Sequence, residues 1–116
     1  MRICSLISIL LGCVSVVSCG DDYEHRQVLE SLVRNGATQE QVVERLGSGV
    51  TTYERGTPSW TKLKEFLARE PESALEPLRK AVDNYPLILY YTTESRMTWL
   101  FLDERRIVRA YYLTSQ

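Results

Sequence analysis

Three cysteines and one histidine are the only thiol and imidazole groups in this chain of 116 residues. Cys4 and Cys13 lie inside an apolar N-terminal run from Ile3 to Ser18, and Cys19 closes it directly before polar Gly20-Asp21-Asp22. A thiol at such a junction is a candidate for covalent modification. His25 stands apart from any Cys or His partner, so it reads as a solvated surface residue, and zinc-ligand spacing is missing. A Ser-His-Asp site would have to recruit His25 from beside the apolar run, against the strict geometry a triad demands. Gly47-Ser48-Gly49 follows a helical pattern, not a strand, and lacks the setting of a phosphate-cradling loop. Asp103 and Glu104 adjoin Arg105 and Arg106, which is charge-balanced turn chemistry. Acid–base catalysis would need a cleft and shifted pKa values. No catalytic residue, metal ligand or cofactor motif is assigned, and the chain reads as non-enzymatic.

The N-terminal run has the parts of an export signal. Arg2 supplies the positive end, the apolar stretch the core, and Val16-Val17-Ser18 the residues before a cleavage site. The run is shorter than the ~20 apolar residues of a membrane-spanning helix and carries Ser5, Ser8, Ser15 and Ser18. Val16-Val17-Ser18-Cys19 resembles the lipobox of bacterial lipoproteins. The resemblance implies that Cys19 is diacylated through sulfur and becomes the mature N-terminus. It also explains an odd thiol in an exported chain, where disulfides are favoured. Two acyl chains anchor stably where one binds only marginally. Gly20, not Asp, follows Cys19, which leans to the outer membrane; the domain then faces the periplasm.

The expected division is residues 1–18 as signal peptide, 19–22 as lipidated Cys and short tether, and 23–116 as one domain. What remains after cleavage is about 100 residues, enough for one core without a metal or disulfide staple. Net charge is −1, with acidic and basic residues interspersed. That disfavours nucleic acid as a partner and leaves no polybasic lipid-binding patch.

Asp22 can cap a first helix whose apolar stripe is Val28, Leu29, Leu32 and Val33, ended by Asn35-Gly36. Thr38 and Gln41 form a capping box for a second helix with Val42, Val43 and Leu46 inward and Gly47 at its end. Residues 47–58 read as a loop in which Val50 to Tyr53 can add a short edge strand. Ser59 precedes a helix with Trp60, Leu63, Phe66 and Leu67 on one face. Ser73 to Glu76 offers a further capping box, Pro77 fits a first turn, and Leu75, Leu78 and Val82 continue an apolar stripe until Asn84 and Pro86.

The last third is β-rich. Strands over Leu87–Thr93, Met97–Leu102 and Arg106–Leu113, joined by Glu94-Ser95-Arg96 and Asp103-Glu104-Arg105, predict an antiparallel meander. The fold class is therefore α+β: an N-terminal helix pair on a C-terminal three-stranded meander, with a helical insertion at about 59–84. Both meander faces are apolar, so either helices cover both or one keeps an open docking patch. Tyr53, Tyr91, Trp99, Tyr111 and Tyr112 are the candidate partner-binding residues, since Tyr and Trp are enriched where proteins meet.

The segment Asn35 to Gly47, read as G-x-T-x-x-x-V-x-x-x-L-G, is similar to the helix hairpin of the SmpA/OmlA family. Thr98 to Asp103 and Arg106 to Val108 look like that family's terminal hairpin. Its members include the small lipoprotein subunit of the outer-membrane β-barrel assembly machinery. β-Lactamase inhibitor proteins share the ααβββ unit. The resemblance implies a lipid-anchored envelope protein that binds or scaffolds a protein partner. The alternative is an inhibitor that blocks an enzyme cleft through the loop Val50 to Thr57, which includes Tyr53, Glu54 and Arg55.

Overall fold

The computed structural model describes residues 17–93 and 96–115, and the chain divides into a unit ending at Ser31 and a unit of residues 32–116. Most of the expected signal segment, including Val16 of the lipobox, lies outside the described residues, as does the Glu94-Ser95 part of the expected turn. In the first unit, helix α1 (Val17–Arg34) begins upstream of Cys19. The helix start expected at Asp22 therefore falls inside α1. The stretch contains no proline, and one glycine costs only about 1 kcal/mol in a helix. The exposed Tyr23 hydroxyl accepts from Gln27 one turn on, at 2.7 Å. No helix among the described residues is long and apolar enough to cross a membrane.

The second unit takes in the end of α1. Gly36 adopts φ 62°, its N–H donates to Val33 O at 3.1 Å, and Ala37 N–H donates to Leu32 O at 2.9 Å. This is a Schellman turn, which uses carbonyls the helix end leaves without partners. Helix α2 (Gln39–Leu46) opens on the expected capping box: Gln41 N–H donates to Thr38 Oγ1 at 3.2 Å, and Thr38 N–H donates to Gln41 Oε1 at 2.9 Å. Since most of α1 falls in the other unit, the two helices are not a hairpin within one unit.

The sheet has four strands, not three. Strand β1 (Thr51–Glu54) pairs antiparallel with β2 (Leu87–Thr92), which pairs with β3 (Arg96–Leu102), which pairs with β4 (Val108–Ser115). The edge strand expected within 47–58 therefore joins the sheet, and the segment read as a loop from Val50 to Thr57 is a strand followed by a tight turn. β-Branched Thr51 and Thr52 and aromatic Tyr53 suit a pleated edge.

Between β1 and β2 come helix α3 (Pro58–Arg69), a 3₁₀ turn (Ser73–Leu75) and helix α4 (Glu76–Asn84). Thr57 caps α3: its Oγ1 accepts from Trp60 N–H at 3.4 Å, with Pro58 in the first turn, where a missing donor costs nothing. The capping box expected at Ser73 does not form; Leu75 precedes α4 without a side-chain cap. Arg79 does the joining instead. Its Nε donates to Leu67 O at 3.1 Å, Nη2 to Glu70 O, and Nη1 to Glu76 at 3.0 Å, so α4 closes the open carbonyl end of α3.

Strand register sorts the side chains. One sheet face carries Tyr53, Ile88, Tyr90, Trp99, Phe101, Ala110 and Tyr112; Trp60, Leu63, Leu67, Leu78, Ala81 and Val82 pack over it. Phe66, expected among them, is 41% exposed. The other face carries Leu87, Leu89, Leu100, Leu102 and Val108, all buried to 2% or less, with Thr98. Here Val108 N–H donates to Ala37 O at 2.9 Å, and Tyr91 hydroxyl donates to Gly47 O at 2.8 Å, tying both ends of α2 to this part of the unit. The central strands are thus buried on both faces. A register shift between Phe101 and Leu102 makes Arg109 an extra residue in β4, which keeps Val108 and Tyr111 on the same face.

Candidate functional site

The five aromatic residues singled out in the sequence do not share one surface. Tyr53, Trp99 and Tyr112 belong to the face under α3 and α4, and Tyr91 and Tyr111 to the opposite one. Trp99 is buried among the core residues. Tyr112 spends its hydroxyl on Ala74 O at 2.8 Å, and Tyr91 spends its own on Gly47 O. Tyr53 is the member within the outer strand β1, half-buried. Cys19 lies within α1, and its side chain falls outside the described atoms.

Around Tyr53 the aromatic rings form a ledge. The Tyr90 and Trp99 rings stack at 4.1 Å between centroids, and Tyr53 joins Trp99 at 6.3 Å. Arg55, exposed just past β1, holds its guanidinium 5.9 Å from the Trp60 ring centre, a cation–π approach. Burial, and then the neighbouring Tyr90, push the Tyr53 pKa above its ordinary value; burial alone does the same for Tyr91. Both phenols are neutral near pH 7, so they act there as hydrogen-bond donors and apolar surface, not as nucleophiles.

The β3–β4 turn builds a second cluster. Asp103 Oδ1 accepts from Arg105 N–H at 2.9 Å and Ile107 N–H at 3.1 Å, while Oδ2 accepts from Arg109 Nε at 2.8 Å. The Arg109 hydrogen bond, then Ile107 N–H, hold the Asp103 pKa below the usual carboxylate value. Arg106 sits at φ 64°, a conformation that normally calls for Gly or Asn. From there Nη1 donates to Gln39 Oε1 at 2.7 Å and Nη2 to Glu54 Oε2 at 2.9 Å. Gln39 N–H in turn donates to Arg106 O at 3.0 Å. One arginine thus fastens the start of α2 and the end of β1 to the turn. The charge-balanced turn expected from Asp103 to Arg106 is present; the reach of Arg106 to Glu54, 52 positions earlier, had no local sequence signal. Among the described residues no group of three His, Cys, Asp or Glu side chains is placed to hold a metal ion.

No family model, curated protein or solved structure matches this chain. Its own geometry therefore carries the reading. Two features stand out: the ledge of Tyr53, Tyr90 and Trp99, and beside it the outer strand β1, whose Thr51 and Thr52 are exposed.

Proposed function

We propose that this chain is a membrane-anchored envelope lipoprotein that binds a protein partner, without catalytic activity of its own. The observation that carries the anchor is the apolar run closed by Cys19 in a lipobox-like setting directly before polar Gly20-Asp21-Asp22. The binding role is supported by the outer strand β1, whose Thr51 and Thr52 are exposed, since an unpaired strand edge is a template on which another chain can pair. The likeness of residues 35–47 to the SmpA/OmlA helix hairpin rests on the sequence pattern G-x-T-x-x-x-V-x-x-x-L-G. A role in outer-membrane assembly or maintenance follows from that likeness.

The test replaces Cys19 with serine in the full chain, followed by membrane fractionation and mass spectrometry. The expected result is acyl mass on the wild type at Cys19 and loss of the variant from the membrane fraction. An unmodified wild-type Cys19, or a variant that stays membrane-bound, overturns the anchor. Crosslinking in intact cells, followed by purification of the tagged chain, tests the partner; no reproducible envelope protein in the crosslinked fraction rejects it.

A further inference from the structure

We infer that β1 is a docking edge for an extended peptide segment of a partner protein, which adds to the sheet as a fifth antiparallel strand. This rests on the protein-binding half of the reading above and does not require the anchor. Arg55 N–H donates to Pro86 O at 2.8 Å, continuing the β1–β2 register in which Tyr53 faces Ile88 and Thr51 faces Tyr90. In an antiparallel ladder hydrogen-bonded pairs alternate with non-bonded ones. Thr51, Tyr53 and Arg55 therefore turn their backbone groups to β2, and Thr52 and Glu54 turn theirs outward. Glu54 O is already used, accepting from Thr57 N–H at 3.1 Å and Thr57 hydroxyl at 2.6 Å. What remains is Thr52 N–H, Thr52 C=O and Glu54 N–H, which have no hydrogen-bond partner among the described residues.

Three such groups in a row match one extended strand. The ligand residue opposite Thr52 exchanges two bonds with it, and the carbonyl two residues earlier in the ligand accepts from Glu54 N–H. Side chains then follow the two-residue period. On the ledge side, the ligand residues beside Thr51, Tyr53 and Arg55 meet a β-branched residue, an aromatic ring and a cation in turn. Cross-strand preferences ask for β-branched, aromatic or aliphatic, and acidic partners at those places. Read from its own N-terminus, the ligand is acidic, any, aromatic or aliphatic, any, β-branched. On the other side Glu54 is already paired with Arg106 and makes no demand on ligand charge. A second copy of this chain fits less well. Its own β1, set antiparallel about Thr52, would place Gly49 against Arg55 and leave that cation unanswered.

The probe is a fluorescent peptide, acetyl-Lys-Glu-Ser-Tyr-Ser-Val-Lys-amide, titrated onto the detergent-purified full chain and followed by anisotropy. Saturable binding is expected. Thr52→Pro removes the outward N–H and keeps the β1–β2 ladder, because proline is tolerated where the strand N–H faces solvent. It should weaken binding roughly tenfold. Arg55→Glu should weaken this peptide roughly fivefold and reverse the preference toward the version with lysine in place of the glutamate. Should Thr52→Pro fail to fold, the charge reversal decides alone. No saturable binding by the wild type, or an unchanged preference in Arg55→Glu, overturns the edge. Self-association of the wild type that excludes the peptide assigns the edge to a second copy and also overturns it. A partner crosslinked in cells away from β1 would leave the tethered-module reading standing while this inference falls.

Discussion

Arg106 shows how much one side chain can hold at a conformational cost. A non-glycine residue at φ 64° is strained by about 1 kcal/mol. Its guanidinium returns contacts to Gln39 and Glu54, the latter pair half-exposed and worth at most about 1 kcal/mol. Arg106→Gly and Arg106→Ala lose the same contacts, but only glycine relieves the strain. Chemical denaturation should therefore find Arg106→Gly near wild type and Arg106→Ala about 1 kcal/mol less stable than the glycine variant. Asp103 gives a pH signature. Its pKa is lower in the folded chain than in the unfolded one, so its contribution is present above the unfolded value near pH 4. That contribution is lost as pH falls through the lower folded value. Asp103→Asn should melt below wild type at pH 7, and the gap should narrow toward pH 3. The Asp103 turn was legible, because Asp before a short polar link is a known turn former. Arg106 was not, since its partners lie far off in sequence.

At the scale of elements, local chemistry was legible wherever the signal was short-ranged. The capping box at Thr38 and Gln41 and the glycine stops at Gly36 and Gly47 needed only neighbouring residues. Helix α3 starts at Pro58, one residue before Ser59, because proline favours the first helical position. One cap was misread for a physical reason. The Ser73 signal fails because Pro77 and the 3₁₀ turn move the helix start to Glu76. Arg79, which closes the end of α3 from α4, is a tertiary device with no local signature. Arg79→Ala should cost about 1–3 kcal/mol, and Arg79→Lys should recover little, because a single ammonium cannot reproduce the fork of donors. Within β1 the amides should alternate in hydrogen exchange: Thr51, Tyr53 and Arg55 slow, Thr52 and Glu54 fast. Uniform protection would show that the outward groups are already engaged.

For the whole molecule, composition and pattern pointed to α+β and to a β-rich final third. The fourth strand was harder to see, because four residues flanked by Gly-Ser-Gly and Gly-Thr-Pro look like loop until β2 is there to pair with them. The doubly apolar meander posed a real ambiguity between a covered face and an open one. Burial answers it: Ile88 on one face and Leu100 on the other are both fully buried. Ile88→Ala and Leu100→Ala should each cost about 2–5 kcal/mol, a large share of the stability of a domain this size. If either proved nearly neutral by denaturation, that face would be open. Of the candidate site, the aromatic content was readable in advance. Its division between two faces was not, because that depends on register and on the extra residue at Arg109.

Thr57 has a consequence for solubility. Its N–H and hydroxyl both occupy the carbonyl of Glu54, so the outer strand ends in a stop instead of running on as an open ladder. Fibrils grow when an edge can recruit one full-length strand after another, each new edge as receptive as the last. An edge with three available groups accepts one short segment and then offers little to the next. The hydroxyl that begins α3 therefore also shortens the β1 edge, and with it the template that this edge offers to a growing polymer.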